Sequence, residues 1–175
     1  MRQDQSGYAN ALRQGFRNCT GEFLLTLDAD LSHRPEFVLD MLAVRHEAEV
    51  VIASRYIPDG GAVMPATRRV LSFVLNRLYG RALGLPIRDL SSGFRLYRRR
   101  ALAELAPRGD HFDVLPEIAA LAIFRGHRVR EVPFHYHPRV SGVSKARALG
   151  FAPSYVRTLF RCFAAKRRRA DGQDR

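Results

Sequence analysis

The sequence predicts an α/β fold in which helices flank a mixed β-sheet. Short apolar runs typical of buried strands alternate with segments of helical periodicity, and the connections between them are short. The chain has 175 residues, of which 46% are hydrophobic, so it can form one domain with a core of its own. Its two cysteines, Cys19 and Cys162, match neither a disulfide framework nor a zinc spacing.

Four apolar runs predict the strands of the sheet. The runs at residues 23–27, 50–53 and 94–97 have the length and apolar character of buried strands. Residues 129–136 also suit a strand, but Pro133 has no backbone N–H group to donate. This segment is therefore predicted at the edge or the end of the sheet.

Helical periodicity predicts the elements around these strands. The first helix contains Ala9 and Leu12, and the second begins near Pro35, which suits a first helical turn. The clearest amphipathic pattern in the chain follows, with Val70, Val74 and Leu78 on one helical face. Further helices are predicted at residues 101–105, 116–124 and 148–165, followed by a basic, solvated tail at residues 166–175.

The chain is strongly basic, with 29 Lys and Arg against 17 Asp and Glu and a net charge of +12. Such a charge predicts anionic partners, which are phosphorylated substrates, an anionic membrane or nucleic acid. The aromatic residues do not interleave with the basic ones, and no nucleic-acid motif is present, so nucleic acid is disfavoured. No apolar run is close to the length of about 18 residues that is needed to span a bilayer. Residues 1–10 contain no secretory signal, so we expect a cytoplasmic protein.

Two carboxylates follow the first predicted strand in the segment LDADLSH. Asp28 and Asp30 are two residues apart, so in an extended segment their side chains point the same way, and Ser32 can share that side. A hard divalent cation, which prefers oxygen ligands, would relieve the repulsion between them. The same spacing also suits a solvated turn that caps the next helix.

Basic residues at strand ends and in loops form a second group. Arg55 follows a predicted buried strand, and Arg68 and Arg69 precede the long amphipathic helix. Arginine forks match phosphate oxygens, whereas most of the other basic residues have the pattern of solvated surface charge. In the segment RVSGVSK, residues 139–145, glycine and serine let backbone and hydroxyl donors approach an anion closely.

Other polar residues interrupt apolar segments. The turn DLSSGF, residues 89–94, leads into a predicted strand and is compatible with simple turn chemistry. Glu117 stands in an otherwise apolar helix, either on an exposed face or as a carboxylate that points into a site. His135 and His137 alternate on a strand, but no third metal ligand stands near them.

Four motifs in this order resemble those of the dolichol-phosphate mannosyltransferases, which belong to the inverting family-two glycosyltransferases of GT-A fold. The motifs are LDADLSH (residues 27–33), SRY (54–56), DLSSGFR (89–95) and RVSGVSK (139–145). The resemblance implies a GT-A-like, Rossmann-like mixed sheet flanked by helices. It also implies transfer of a hexose, with mannose favoured, from a nucleotide diphosphate-sugar to polyprenyl or dolichyl phosphate.

The resemblance assigns roles to single residues. Asp28 and Asp30 match the DxD pair that holds Mg²⁺ or Mn²⁺ and the donor diphosphate, with Ser32 in place of a third, weaker ligand. The implied catalytic residues are Asp30, Arg55 and Glu117. The residues implied to meet the phosphates of donor and acceptor are Arg55, Arg68, Arg69, Ser72, Ser92, Gly93, Arg139, Ser144 and Lys145.

The acceptor decides how much acid–base chemistry such an enzyme needs. A phosphate acceptor is already ionised near neutral pH, so catalysis rests on positioning and on stabilising the leaving diphosphate. A sugar-hydroxyl acceptor would need a carboxylate base, for which Glu117 and Asp113 are the candidates. Outside this class, the alternatives are a non-catalytic remnant of the fold and a basic nucleic-acid-binding module.

The sequence departs from the family at both ends. The family's first strands, with Pro-x-Tyr/Thr-Asn/Glu and Asp-Asp-Gly/Ser patterns, have no counterpart, so residues 1–147 are predicted as an N-terminally truncated GT-A domain, its metal and acceptor half. We expect this chain alone to be a poor or inactive catalyst. Residues 24–27 would then lie at an exposed sheet edge that allows self-association.

The C-terminal segment, residues 148–175, carries no transmembrane pair of the kind many relatives have. It is predicted as an amphipathic basic helix and tail that lie on an anionic membrane surface, peripheral at the inner, cytosolic face. The alternative is that its apolar stripe packs on the domain. The stripe consists of Val156, Leu159, Phe160 and Phe163.

Overall fold

The computed structural model describes residues 7–30, 32–137, 150 and 152–171, and its α/β architecture confirms the predicted fold class. The helices are α1 (Tyr8–Asn18), α2 (Phe37–Ala43), α3 (Ala66–Leu83), α4 (Arg99–Glu104), α5 (Val114–Phe124) and α6 (Ala152–Ala170). The strands are β1 (Phe23–Thr26), β2 (Val50–Ser54), β3 (Gly61–Ala62), β4 (Arg95–Arg98), β5 (Val129–Pro133) and β6 (His135–Tyr136).

The main sheet is mixed and has the strand order β1-β4-β2-β5. Strand β4 runs antiparallel to both β1 and β2, whereas β2 and β5 are parallel. All five residues of β2 are buried, as its continuous apolar run predicts. Strands β1 and β5 are the edges of this sheet, which confirms the position predicted from Pro133.

Alternate residues of the central strands fill two hydrophobic clusters, one on each face of the sheet. Val50 and Ile52 point into the larger cluster, which α1, α3 and α5 complete. Val51 and Ala53 point into the smaller cluster around Met41. Full burial of one large apolar side chain contributes about 1.5–3 kcal/mol, so both faces stabilise the sheet.

Helix α3 confirms the predicted amphipathic segment, but its apolar face is turned outward. A surface helix usually buries that face, yet Val70, Val74 and Leu78 are 60%, 42% and 59% exposed. The buried positions of α3 include Asn76 and Gly80, because this side of the helix meets a polar turn and a closely approaching loop. Helix α3 therefore exposes large apolar side chains, although Tyr79 and Leu83 still pack into the larger cluster.

Helix α6 continues to Ala170, beyond its predicted end, so residues 166–170 are helical and do not form a tail, although they are exposed as predicted. Lys166 Nζ donates to Leu83 O at 2.8 Å, and an Arg169 guanidinium nitrogen donates to Ile123 O at 2.7 Å. Carbonyls in the last turn of a helix lack intrahelical partners, so cations are favoured there. Among the described residues, no helix is both long enough and apolar enough to cross a membrane.

Candidate active site

A cavity of about 190 Å³ opens at the edge of the sheet where β1 and β2 end and β4 begins. The antiparallel course of β4 brings the turn before it to the same edge as the segments that follow β1 and β2. Whole small-molecule sites usually measure about 300–1,000 Å³. The described residues thus enclose room for part of a ligand, such as a phosphate group and its neighbours.

Six of the residues singled out in the sequence line this cavity, although they come from separate motifs. Ser32, Arg69, Glu117 and Asp30 are not in its lining. Residues 139–145, and with them Arg139, Ser144 and Lys145, lie outside the described residues. The six lining residues are Asp28, Arg55, Arg68, Ser72, Ser92 and Gly93.

One side of the cavity, which we call the polar wall, is lined by Arg55, Ser72, Asn76 and Ser91. An ion pair between Arg55 and Asp89 forms its centre. Arg55 Nε and one terminal nitrogen donate to the two carboxylate oxygens of Asp89, both at 2.7 Å, and the Arg55 backbone N–H donates at 3.0 Å. Asp89 is fully buried, and the Arg55 side chain is 11% exposed. A two-pronged pair of this kind fixes the orientation of the guanidinium as well as its place.

Burial and charge act in opposite directions on this pair. Burial by itself raises the pKa of Asp89, but the Arg55 charge and hydrogen bonds bring that pKa below its ordinary value. Burial likewise lowers the pKa of Arg55, and the nearby Asp89 carboxylate outweighs it, so the net shift is upward. Both groups therefore stay ionised across the physiological range.

Helix α3 extends the polar wall. Asn76 Nδ2 donates to Ser91 Oγ at 3.1 Å, and the hydroxyls of Ser72 and Ser91 lie 3.2 Å apart. The carboxylate of Glu131 in β5 accepts the backbone N–H of Asp89 at 2.8 Å. Ser91, Asn76 and Glu131 were not predicted as site residues. The polar turn DLSSGF was the one sequence signal that pointed to this network.

Gly93 is required by a close approach at the floor of the cavity. A Cβ atom on Gly93 would lie 2.7 Å from the Tyr8 hydroxyl, a distance that real Cβ atoms do not adopt. Thr26 Oγ1 donates to Gly93 O at 2.8 Å and ties the turn to β1. Tyr8 lines the cavity and stacks on Phe112 with ring centroids 4.5 Å apart.

The two carboxylates of the DxD segment have different surroundings. Asp28 lines the cavity, and its side chain is 43% exposed. One carboxylate oxygen of Asp30 accepts both the backbone N–H and the hydroxyl of Ser32, the hydroxyl at 2.5 Å. Ser32 is itself fully buried, so in this arrangement it orients Asp30.

His33 closes the same turn. Its Nδ1 accepts the backbone N–H of Asp28 at 2.8 Å, and its ring stacks on Phe94 with centroids 4.9 Å apart. Burial lowers the pKa of His33, and the neighbouring Asp28 and Asp30 oppose this shift. A neutral imidazole that accepts a backbone hydrogen bond holds the backbone of Asp28 in place at the cavity.

A hard divalent cation fits the donor chemistry of this turn. Among the described residues, no group of three or more His, Cys, Asp or Glu side chains could hold a metal ion. Magnesium, however, often takes one or two carboxylates from the protein and its remaining oxygen ligands from phosphates and water. Asp28 and Asp30, both partly exposed after β1, meet that smaller requirement.

Glu117 is buried beside the cavity wall and engages other groups. One carboxylate oxygen accepts the backbone N–H groups of Arg108 and Gly109 at 2.8 and 2.6 Å, and the other lies 3.4 Å from Arg161 Nε. Burial raises the pKa of Glu117, although these donors and the Arg161 charge oppose the rise. Asp113, also buried, accepts Thr158 Oγ1 at 2.6 Å. Both carboxylates thus join α5 to its neighbours.

The sequence is similar to a known protein family and to curated proteins. The profile of the family described as Glycosyl transferase family 2 matches residues 1–106. Polyprenol monophosphomannose synthase of Mycolicibacterium smegmatis is 36% identical over 148 residues, which are 80% of this chain and 53% of that protein. Dolichol-phosphate mannosyltransferase of Pyrococcus furiosus is 31% identical over 169 residues, 91% of this chain and 46% of that protein.

Solved structures agree on the fold. The glucosyl-3-phosphoglycerate synthase of Mycobacterium tuberculosis, crystallised with uridine diphosphate, superposes with a TM-score of 0.65 at 18% identity, covering 91% of this chain and 56% of that one. A second structure of it, with Mn²⁺, uridine diphosphate and glucosyl-3-phosphoglycerate, gives 0.64 at 17% identity, covering 90% and 55%. The chain spans about half the length of the curated relatives it matches.

Proposed function

The chain belongs to glycosyl transferase family 2, and on that premise we propose that it transfers a hexose, with mannose favoured, from a nucleotide diphosphate-sugar to polyprenyl or dolichyl phosphate. Inversion at the anomeric carbon is part of the proposal. The observation that carries it is the convergence of six residues from separate motifs on one cavity. The names of the curated relatives, a polyprenol monophosphomannose synthase and a dolichol-phosphate mannosyltransferase, support it.

The carboxylates around the cavity favour a phosphate acceptor over a sugar hydroxyl. Among the described residues, Asp28 is the one carboxylate in the lining, whereas Glu117 and Asp113 engage backbone N–H groups, a hydroxyl and Arg161. A sugar hydroxyl must lose a proton to a base, but a phosphate oxygen attacks without that step. The acceptor oxygen bonds to the anomeric carbon as the bond from that carbon to the diphosphate breaks.

The basic residues of the lining would hold the phosphates. Arg68 stands over the Tyr136 ring, with 5.9 Å between its guanidinium carbon and the ring centroid, and Ser72 lies one helical turn further along α3. Arg55 presents its guanidinium to the same cavity in a fixed orientation, with its charge balanced by the Asp89 carboxylate. Preorganised charge of this kind stabilises a leaving diphosphate without reorganisation during the reaction.

Asp28 and Asp30 would hold Mg²⁺ or Mn²⁺ in this proposal. Bound there, the cation would act as a Lewis acid and neutralise charge on the leaving diphosphate. The Ser32 hydroxyl keeps Asp30 in one orientation, and His33 fixes the backbone of Asp28. With the turn held in this way, Asp30→Asn should lower turnover by orders of magnitude while the fold stays intact.

The transfer assay tests this function directly. The 175-residue chain would be incubated with guanosine or uridine diphosphate sugars, Mn²⁺ or Mg²⁺, and polyprenyl phosphate, and glycosylated lipid phosphate would be measured. We expect slow transfer that requires the metal and is lost in Asp30→Asn. Transfer to soluble sugar hydroxyls but not to the lipid phosphate, or activity undiminished by excess chelator, would contradict the proposal.

The neighbouring residues Arg68 and Arg69 provide a matched pair for phosphate binding. Both are exposed arginines in the first turns of α3, but of the two only Arg68 lines the cavity. We expect Arg68→Met to weaken the binding of farnesyl phosphate about tenfold, the size of one charge-assisted contact, and Arg69→Met to change it less than about twofold. Isothermal titration at two salt concentrations measures this, and equal losses in both variants would place the phosphate elsewhere.

We further propose that α3 and α6 lie on an anionic membrane surface at the cytosolic face. On α6, Val156 is 53%, Phe160 68% and Phe163 37% exposed, so most of the predicted stripe faces outward. Thr158 and Cys162 pack on the domain instead. Exposed apolar side chains beside basic residues are typical of interfacial helices. The exposed apolar residues of α3 are Val70, Phe73, Val74 and Leu78.

Vesicle flotation tests the membrane proposal. Each basic residue near an anionic surface contributes about 1 kcal/mol, so binding should weaken as salt is raised. We expect the chain to float with vesicles containing phosphatidylglycerol and not with neutral ones, and Phe160→Ser to reduce the floating fraction. Equal binding to both kinds of vesicle, or none to either, would contradict it.

A further inference from the structure

Arg95, the first residue of β4, is fully buried behind the wall of the cavity and does not line it. Its guanidinium donates three hydrogen bonds to backbone carbonyls. Nε donates to Ser92 O at 2.7 Å, Nη1 to Leu115 O at 2.8 Å, and Nη2 to Leu90 O at 2.6 Å. Ser92, Leu115 and Leu90 all line the cavity.

These bonds join two separate parts of the cavity wall. Leu90 and Ser92 belong to the polar turn before β4, whereas Leu115 lies in the first turn of α5. The planar guanidinium, which projects its N–H groups in fixed directions, suits three carbonyls that approach from different sides. A lysine ammonium in the same place is a single point with a shorter reach.

The charge of Arg95 is also unusual for its depth. Among the residues that the structure describes, no carboxylate forms an ion pair with it, and its hydrogen bonds end on neutral carbonyls. Its positive charge lowers the pKa of Asp89 and opposes the rise in the pKa of Tyr155, a residue of the cavity lining. A buried charge is costly unless it is compensated. The three carbonyls and the nearby Asp89 carboxylate provide part of that compensation, and an anion in the cavity would add to it.

We infer that Arg95 is a positioning residue of the phosphate site. It holds the turn at residues 90–93 against the start of α5 and places a fixed positive charge behind the wall that a phosphate would meet. The identity of the anion rests on the proposed function. The second part of the inference, that Arg95 fixes the spacing between residues 90–93 and the start of α5, is mechanical and does not rest on it.

Binding of inorganic pyrophosphate in the presence of Mg²⁺, measured by isothermal titration on the full chain, tests this inference. We expect Arg95→Met to weaken affinity about tenfold or more, because a charge and three hydrogen bonds are lost, and Arg95→Lys to recover part of the loss. Met41→Ala is the control, since Met41 is equally buried but lies in the cluster on the other face of the sheet. All measurements are made below the melting temperature of each variant.

The outcomes are distinct. Wild-type affinity in Arg95→Met, or an equal loss in Met41→Ala, would overturn the inference, because the effect would then be absent or a matter of general stability. If Arg95→Met does not fold, Arg95→Lys against Met41→Ala makes the same comparison. Failure of the wild-type chain to bind pyrophosphate would instead contradict the phosphate cavity of the proposed function.

Amide hydrogen exchange decides the mechanical part independently of any ligand. In Arg95→Met we expect exchange to rise about tenfold at residues 90–93 and at Val114, Leu115 and Glu117, because their shared anchor is lost, while β2 stays protected. In Met41→Ala these two segments should keep their wild-type exchange. Unchanged exchange in both segments of the Arg95 variant, or a uniform rise across the sheet, would overturn the inference.

Discussion

Replacement of Asp89 by asparagine tests how strongly the polar wall depends on its one buried carboxylate. Asp89 accepts three hydrogen bonds from Arg55 alone, and further donors come from Ser91 and Asn76. The amide of the Asp89→Asn variant would keep one neutral acceptor and leave the Arg55 charge without its counterion, in a side chain only 11% exposed. We expect Asp89→Asn to lower the free energy of unfolding and to leave the Arg55 side chain without a fixed orientation.

The magnitude follows from this burial. Removing one member of a buried ion pair costs about 3–5 kcal/mol, and the retained amide oxygen places Asp89→Asn near the lower end. In a domain of this size, 1 kcal/mol shifts the melting temperature by about 2–4 °C, so we expect a fall of roughly 6–12 °C. The pair Arg34–Glu36 is the control, because both side chains are more than half exposed and Glu36→Gln should cost less than about 1 kcal/mol.

The pH dependence of the stability difference between wild type and Asp89→Asn adds a second measurement. The pKa of Asp89 is lower in the folded chain than its ordinary value of 3.8, so the stability that the carboxylate provides is complete above that value. It is lost as the pH falls through the folded pKa. Thermal melts followed by circular dichroism should therefore show a large gap between wild type and Asp89→Asn at pH 7 that narrows below about pH 4.

Two results would refute this reasoning about Asp89. One is an Asp89→Asn protein as stable as Glu36→Gln at pH 7. The other is a stability gap that stays constant as the pH falls from 7 to 3. A double-mutant cycle with Arg55→Met isolates the pairwise energy, which should be about 1–3 kcal/mol for groups in direct contact.

Three further substitutions, one of them a control, probe contacts inside the domain. Gly93→Ala should lower the melting temperature and weaken pyrophosphate binding, because its Cβ would displace Tyr8, whereas Gly15→Ala in α1, where nothing lies within 4 Å, should stabilise the chain by about 0.5–1 kcal/mol. Equal melting temperatures in the Gly93→Ala and Gly15→Ala variants would contradict the close approach of Gly93 to Tyr8. Thr158→Val removes the hydroxyl that donates to buried Asp113, so thermal melts should show a loss of about 1–3 kcal/mol, and an unchanged melt would exclude that bond as a stabilising contact.

The elements of the fold could be predicted because their signals are local. Pro133 cannot donate to a neighbouring strand, and β5 lies at an edge of the sheet accordingly. The apolar run at residues 50–53 has no polar alternation, and β2 is buried on both faces. In each case the chemistry of a few adjacent residues decides the outcome.

The orientation of α3 and the partners within the site could not be predicted in this way. Apolar periodicity marks a helical face but does not say what covers it, and the outward face of α3 depends on the polar turn that α3 packs against. Arg55 and Asp89 are 34 residues apart, and Arg95 reaches Leu115 across 20. These pairings depend on how the strands and helices assemble, so no local sequence pattern contains them. The family motifs singled out Glu117 as a site residue, but they did not predict that its carboxylate would lie beside Arg161.

The central antiparallel strand also has a consequence for how the protein folds. Strand β4 cannot pair with β1 or β2 until residues 95–98 have been synthesised, and β5 adds its parallel pairing later still. Contacts such as that between Thr26 and Gly93, 67 residues apart, close long loops, and domains rich in such contacts fold slowly. On the ribosome, β1 and β2 therefore emerge before either has its partner strand. A nascent chain that stops before β4 would expose the unpaired edges of β1 and β2 to chaperones and proteases. The cavity would form only when nearly the whole sheet has assembled.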